Sequence, residues 1–222
     1  MHRLMRRSFS NVVWLAALLL PLQAYPQLTY SAKEIRGKIV DADTGEPLQA
    51  VNIVAQWRIE LILGSDEQTL LHVTEVVTDR EGNYVIPSWG PIPLPFRASF
   101  IQGRDPFLSI FKGEYEPAYA DNGFVSNILS RETPLGEFRW NGQTIKLKKW
   151  QGSVREYWKQ VSSLMASLPD PNAAQRRYPG MLAALQKDQE RLKRLGTATD
   201  SAGTSPSQLS PDDREFLKRF LQ

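Results

Sequence analysis

The sequence predicts an all-β sandwich followed by a C-terminal α-helical extension. In the first half of the chain, apolar and polar residues alternate with the period of two that half-buried strands show, as in residues 34–40 and 51–57. Turns containing Gly45 and Gly82 separate such stretches. From residue 153 onward, apolar residues recur at helical spacing instead. A sheet with one apolar face has to cover it, and a second sheet does so at a spacing of about 10 Å.

Four strands are predicted before the first proline-rich segment. They cover residues 34–40, 51–57, 70–77 and 84–86. The alternation in the second strand predicts that its large residues face inward. The long helices near the end of the chain could shield an exposed edge or face of the sheet. Residues 61–68 are predicted to be a hairpin loop that joins the second strand to the third.

The second half of the β-region is less regular. Residues 87–95 contain four prolines and are predicted to form an extended crossing segment, because proline cannot donate a hydrogen bond to a central strand. The strand pattern resumes at residues 96–101 and 107–111. Residues 122–137 are predicted to be a loop, and residues 138–150 close the β-region.

Two helices are predicted after the β-region. The first begins with a capping box from Ser153 to Glu156, and prolines after residue 168 end it. The second covers residues 180–195, with Gly196 as its cap. The basic pair Lys193-Arg194 suits the carboxyl end of such a helix.

The first 24 residues have the layout of a secretory signal peptide. Arg3, Arg6 and Arg7 precede the apolar run Val12–Leu20, and Ala24 is a small residue at a plausible cleavage site. The run is shorter than the roughly 20 residues that span a bilayer, so no stable membrane span is expected after leader removal. An uncleaved N-terminal anchor is the alternative. We therefore expect export across the inner membrane to the periplasm or the cell envelope.

Charge and cysteine content narrow the possible functions. The chain has 27 basic and 24 acidic residues, and removal of the three leader arginines would leave 24 of each. The basic excess therefore does not indicate a nucleic-acid surface. The absence of cysteine excludes a disulfide framework and thiolate chemistry.

These patterns predict five segments: a signal peptide (1–24), a β-sandwich domain (34–150), a helical extension (151–196), a flexible linker (197–209) and a short amphipathic helix (210–222). In the last helix, Phe216, Leu217, Phe220 and Leu221 form an apolar patch suited to binding in the groove of a partner, which we expect to be another envelope protein.

Several short stretches of the β-region occur in an order typical of one family. They are Gly37–Asp41, Thr44–Leu48, Ala50–Ile53, Thr78–Tyr84 and Asp105–Tyr115. Together they resemble the carboxypeptidase regulatory-like domain, a relative of the transthyretin-like β-sandwiches, over about residues 34–149. The resemblance implies a seven-stranded, Ig/transthyretin-like Greek-key sandwich and a non-enzymatic accessory or binding role.

Catalytic chemistry has little support in the sequence. His72 is the only histidine after the leader, and it is predicted to face solvent if Leu71 and Val73 point inward. A Ser-His-Asp hydrolase would need His72 as its base, and the chain has no G-x-S-x-G elbow. A hydrolase is therefore the least favoured function.

The acidic turns offer weak metal candidates in Asp41, Asp43 and Asp79. The spacing of the first two matches the start of an EF-hand loop, but Gly45 stands where the third ligand belongs. Turn stabilisation is the favoured interpretation, so no metal and no cofactor is predicted.

Two tryptophans near turns, Trp89 and Trp140, are candidates for a sugar-binding platform, whereas Trp57 and Trp158 are predicted to pack in the core. The predicted function is thus an exported, non-enzymatic binding or structural module of the envelope. A carbohydrate-binding module is the alternative.

Overall fold

The structure is a computed structural model that describes residues 29–61, 68–94, 98–100, 106–122, 138–169 and 177–200. Within these ranges the chain forms ten strands and two helices. In chain order they are β1 (Thr29–Ala32), β2 (Ile35–Asp41), β3 (Asn52–Leu61), β4 (Gln68–Val77), β5 (Asn83–Ile86), β6 (Trp89–Pro93), β7 (Ala98–Phe100), β8 (Phe107–Phe111), β9 (Ala118–Ala120), β10 (Thr144–Leu147), α1 (Val154–Ser167) and α2 (Pro179–Asp200).

The strands form three sheets. The largest has five strands in the order β4-β3-β8-β9, and β7 also pairs with β3. A three-stranded sheet has the order β10-β2-β5, in which β2 is parallel to β10 and antiparallel to β5. Strands β1 and β6 pair separately. Strands β3 and β4 are antiparallel neighbours, as the predicted hairpin requires, and residues 62–67 of its loop lie outside the described residues.

A hydrophobic core joins the two larger sheets. Ile39 and Ile145 come from the three-stranded sheet, and Ile53, Trp57 and Leu108 come from the five-stranded sheet. All five side chains are buried. The prediction of a β-rich fold followed by helices is confirmed, while the described residues hold ten strands in three sheets where the resemblance implied seven.

The outer face of the large sheet is also buried at β3 and β8, because both helices pack on it there. Val54 of β3 and Phe111 of β8 lie in a second hydrophobic core with Tyr157 and Val161 of α1 and Leu185 of α2. The period of two in β3 predicted that its large residues face inward, and they do, while its other face is buried as well. The helices replace water as the neighbour of this face.

Polar contacts fix the helix ends to the sheet. The predicted capping box of α1 is present, with the Ser153 amide donating to Glu156 Oε2 at 3.0 Å. At the start of α2, the carboxylate of Glu75 on β4 accepts the amide N–H of Gly180 at 3.0 Å and also that of Met181. A carboxylate at this position satisfies unpaired helix N–H groups and interacts favourably with the helix dipole.

The second helix continues beyond its predicted end. It runs to Asp200, so Gly196 does not cap it, and the flexible linker does not begin at residue 197. Lys193 and Arg194 consequently lie before its last turn. The physical reason is that glycine inside a helix costs only about 1 kcal/mol relative to alanine, which a long packed helix tolerates.

Other predictions have mixed outcomes. The proline-rich segment contains β6, which pairs with β1 and belongs to neither large sheet. Trp158 is 39% exposed, not core, because it lies about 100° around α1 from buried Tyr157. The segment predicted as a signal peptide, most of the predicted loop 122–137 and residues 201–222, including Phe216, Leu217, Phe220 and Leu221, lie outside the described residues. In the described part of the chain, no helix combines the length and apolarity needed to cross a membrane.

We predict that Leu164→Ala destabilises the whole protein by about 3 kcal/mol, because Leu164 is fully buried between α1 and the large sheet. Ser163→Ala, one position away and exposed, should change the stability by less than about 0.5 kcal/mol. Urea unfolding followed by circular dichroism measures both values. Equal small effects would mean that the helices do not share a core with the sheet.

Candidate functional site

A pocket of about 420 Å³ lies between α2 and the turns that flank β3 and β8. Its volume falls within the range of about 300–1,000 Å³ that is usual for small-molecule sites. We call it the α2 pocket. Residues of both sides line it. The sheet side contributes Ala50, Asn52, Lys112, Gly113 and Glu114, and the helix side contributes Ala184, Lys187, Asp188, Arg191 and Arg194.

The unusual residue in this pocket is Asp188. Its side chain is only 6% exposed, and its Oδ2 atom is buried without a hydrogen-bond partner in the described structure. Burial raises the pKa of Asp188 above its ordinary value, while a hydrogen bond with Tyr157 opposes that shift. A buried, half-satisfied carboxylate with a raised pKa in a pocket is a feature that functional sites often show.

A polar network connects Asp188 to both other elements of the site. The Tyr157 hydroxyl of α1 is hydrogen-bonded to Asp188 and accepts the backbone N–H of Glu114 at 2.9 Å. The Glu114 carboxylate in turn forms an ion pair with Arg191, with Oε1 and Nη1 2.8 Å apart. The network therefore fixes α1, α2 and the end of β8 relative to one another.

The sheet-side wall contains strained backbone. Ala50 has φ 57° and Glu114 has φ 72°, and they are the non-glycine residues with positive φ in the described ranges. Both line the α2 pocket. Such conformations cost about 1–3 kcal/mol each and cluster at ligand-binding sites, because the surrounding structure must hold them in place.

Basic side chains surround the pocket. Four of its lining residues are basic and two are acidic, which gives a formal excess of two positive charges. Lys112 donates to the carbonyl oxygen of Gln49 at 2.9 Å, and burial lowers its pKa. Lys187 and Arg194 are exposed on the helix side.

This site was not predicted from the sequence, although one signal for it was present. Met181, Leu185 and Leu192 form a buried stripe on α2, and Asp188 occupies the position in the same stripe where an apolar residue is expected. A carboxylate inside an apolar stripe was therefore the feature of the sequence that could have indicated this site. The sheet-side residues gave no such signal, because their approach to α2 depends on long-range packing.

His72 was predicted to face solvent, and that prediction was wrong. It pairs with Trp57 across β3 and β4, and so it points to the inter-sheet side. A register shift between Trp57 and Arg58 displaces Leu71 from strict alternation, which is why the sequence pattern misassigned this face. The His72 ring stacks on Trp89 at 4.4 Å between centroids, and burial lowers its pKa.

The two tryptophans predicted as a sugar platform both pack against the inter-sheet core. Trp89 contacts the rings of Tyr30, Trp57 and His72, and its indole N–H is buried. Trp140 donates its indole N–H to the Asp121 carbonyl oxygen at 3.0 Å. Neither residue lines the α2 pocket.

The acidic turn residues act as turn caps in the structure. Asp41 Oδ1 accepts the amides of Asp43 and Thr44 at 2.9 and 3.0 Å, and Oδ2 accepts the Tyr115 hydroxyl at 2.8 Å. The Thr44 hydrogen bond is the main cause of the lowered pKa of Asp41. Asp79 accepts the Asn83 amide at 2.8 Å. Across the described ranges, histidines and acids form no cluster of three that would hold a metal ion.

Comparisons with known proteins give no family assignment. No protein-family model and no curated protein matches the chain. Among solved structures, 3-chlorocatechol 1,2-dioxygenase from Rhodococcus opacus 1CP is 17% identical with a TM-score of 0.31, over 56% of this chain and 62% of the dioxygenase. A 9R-lipoxygenase from Cyanothece PCC8801 is 15% identical with a TM-score of 0.30, over 79% of this chain and 26% of the lipoxygenase. Similarity at this level supports no argument about function.

We predict that Asp188→Asn raises the melting temperature at neutral pH. Because the pKa of Asp188 is raised in the folded state above its ordinary value of 3.8, the folded chain holds the proton more tightly than the unfolded chain does. The charged carboxylate therefore destabilises the fold increasingly as pH rises through the folded pKa. The difference between variant and wild type should accordingly shrink toward pH 4.

Differential scanning calorimetry between about pH 4 and pH 8 measures this effect. Glu190→Gln is the matched control, since it removes one negative charge from an exposed position on the same helix. A lower melting temperature for Asp188→Asn at neutral pH would mean that the carboxylate stabilises the fold.

Proposed function

We propose that this protein is an exported, non-enzymatic binding module of the cell envelope. In this proposal the β-rich part is a carboxypeptidase regulatory-like domain with the Ig/transthyretin-like, Greek-key arrangement of that family. The observation that supports a binding role is the α2 pocket, which holds a buried carboxylate between two walls fixed by hydrogen bonds. The signal-peptide pattern of residues 1–24 supports export.

Three features favour binding over catalysis. The residue that a hydrolase would need as its base, His72, has its ring stacked on Trp89 and bonded to Thr74 Oγ1 at 3.0 Å. It also does not line the α2 pocket. Two contacts in the pocket instead hold its walls together: the ion pair of Glu114 with Arg191 and the hydrogen bond from the Glu114 amide to the Tyr157 hydroxyl. A preformed pocket of this volume is typical of a ligand-binding site.

Carbohydrate binding remains the alternative form of this function. It would use Trp140, which is partly exposed and carries the Arg139 guanidinium 5.4 Å from its ring centroid. Loss of a glycan-array signal in Trp140→Ala, with Trp158→Ala as an exposed control on α1, would support it. A signal that both variants retain would count against it.

Export is tested by fractionating a bacterium that expresses the full chain with a C-terminal tag. We expect the tagged protein in the periplasmic or envelope fraction, with an amino terminus near residue 25, as mass spectrometry would show. A membrane fraction with the leader intact would support the anchor alternative. A cytosolic product with the leader intact would contradict export.

Partner binding through the C-terminal apolar patch is tested by deleting residues 201–222, which leaves α2 complete. We expect the truncated chain to keep the β-sheet signal that the full chain shows in circular dichroism. We also expect it to cross-link more weakly to envelope proteins. The quadruple change of Phe216, Leu217, Phe220 and Leu221 to serine should weaken cross-linking equally. Unfolding of the truncated chain would contradict the idea of a separate tethered helix.

A further inference from the structure

We propose that the α2 pocket binds a small anionic ligand through a carboxylate or phosphate group placed between basic side chains of its two walls. The inference rests on the proposed function, because it names the ligand class of the same site. Three observations support it: the positions of the charged residues, the strained wall and the accessibility of the buried acid.

The helix wall presents three basic residues on one face. Lys187, Arg191 and Arg194 are spaced i, i+4 and i+7, and neighbouring Cβ atoms at such spacings lie about 5–6 Å apart. All three line the pocket, and Lys112 lines it from the sheet side. An anion in the pocket would therefore have cations on both sides. Arginine provides the planar pair of donors that matches carboxylate and phosphate oxygens.

The two acidic residues of the pocket cancel only part of the charge of its four basic residues. Glu114 is paired with Arg191, so that pair is neutral as a unit, and Glu114 also acts on Lys112. The side chain of Asp188 is buried and faces Tyr157, Glu114, Arg191 and Lys187 from the elements around it. With both acids counted as charged, the pocket keeps its formal excess of two positive charges.

A cationic ligand on Asp188 is the opposite possibility, and accessibility decides against it. The unpartnered Oδ2 atom has less than 1 Å² of solvent-accessible area. A ligand cation would thus meet the exposed lysine and arginine groups before it could reach the carboxylate. Repulsion among like charges makes that arrangement unfavourable.

The strained wall indicates that the pocket shape is maintained. Ala50 and Glu114 of the sheet wall both adopt positive φ, and the backbone of Glu114 is held by the Tyr157 hydroxyl. A pocket whose walls are fixed before binding loses little conformational entropy when the ligand enters. This is the expected property of a site for a small ligand.

The experiment titrates the ¹⁵N-labelled full chain with four probes, namely inorganic phosphate, glucose 6-phosphate, glucuronate and glucose. We expect amide shifts at Gly113 and Ala184, which lie on opposite walls, for at least one charged probe and none for glucose. Comparison of the two phosphate probes with glucuronate distinguishes a phosphate ligand from a carboxylate ligand. Binding should weaken when salt is raised from about 0.01 M to about 1 M, which shortens the Debye length from about 30 Å to about 3 Å.

The double variant Lys187→Gln with Arg194→Gln should weaken binding about two- to thirtyfold, which corresponds to about 0.2–1 kcal/mol for each of the two exposed charge contacts. The matched control is Lys159→Gln with Lys193→Gln, which removes the same net charge from exposed positions off the pocket and should leave the affinity within about twofold. Circular dichroism verifies that both variants fold.

Three results would overturn the inference. The first is equal loss of affinity in both double variants, and the second is an absence of shifts at Gly113 and Ala184 with every charged probe. The third is binding of glucose with the same two shifts, which would leave the proposed binding function standing and remove only the assignment of an anion.

Discussion

The burial of β3 on both faces is the constraint on which the rest of the structure depends. Ile53 and Ala55 face the inter-sheet core, and Val54 and Gln56 face the helices, yet all four are 0% exposed. A second sheet covers only one face of such a strand, so another element has to cover the other face. The helices are therefore part of the folded unit, and their removal would expose a face that carries Val54 and Phe111 to water.

The same constraint creates the α2 pocket. Helices that lie across a twisted sheet contact it along only part of their length, and Lys187, Asp188 and Arg194 lie where α2 meets the turns rather than the strand faces. Glu75 fixes the start of α2, and Arg191 pairs with Glu114 farther along the helix. The gap between these two attachments is thus held open by the contacts that hold the helix in place.

The sequence predicted those features that depend on local chemistry. The alternation in β2, the turn at Gly45 with φ 73° and the Ser153 capping box all follow from interactions within a few residues, and all are present. It did not predict the features that depend on long-range packing. The inward position of His72 results from a register shift opposite Trp57, and the burial of Val54 results from helices about 100 residues later. Periodicity within one strand contains no information about either.

Asp188 illustrates how a local rule fails at a candidate site. If its role were only to join α1 to α2, the hydrogen bond to Tyr157 would suffice, and a neutral side chain could make it without burying a charge. A buried network that leaves one oxygen unsatisfied is less stable than an apolar contact of the same shape. The stripe of Met181, Leu185 and Leu192 could accommodate such a contact at residue 188. The acid therefore lowers stability at the point where a strained wall and a basic helix face enclose a pocket. Departures of this kind from a local rule are expected at functional sites, which is why the α2 pocket is the candidate.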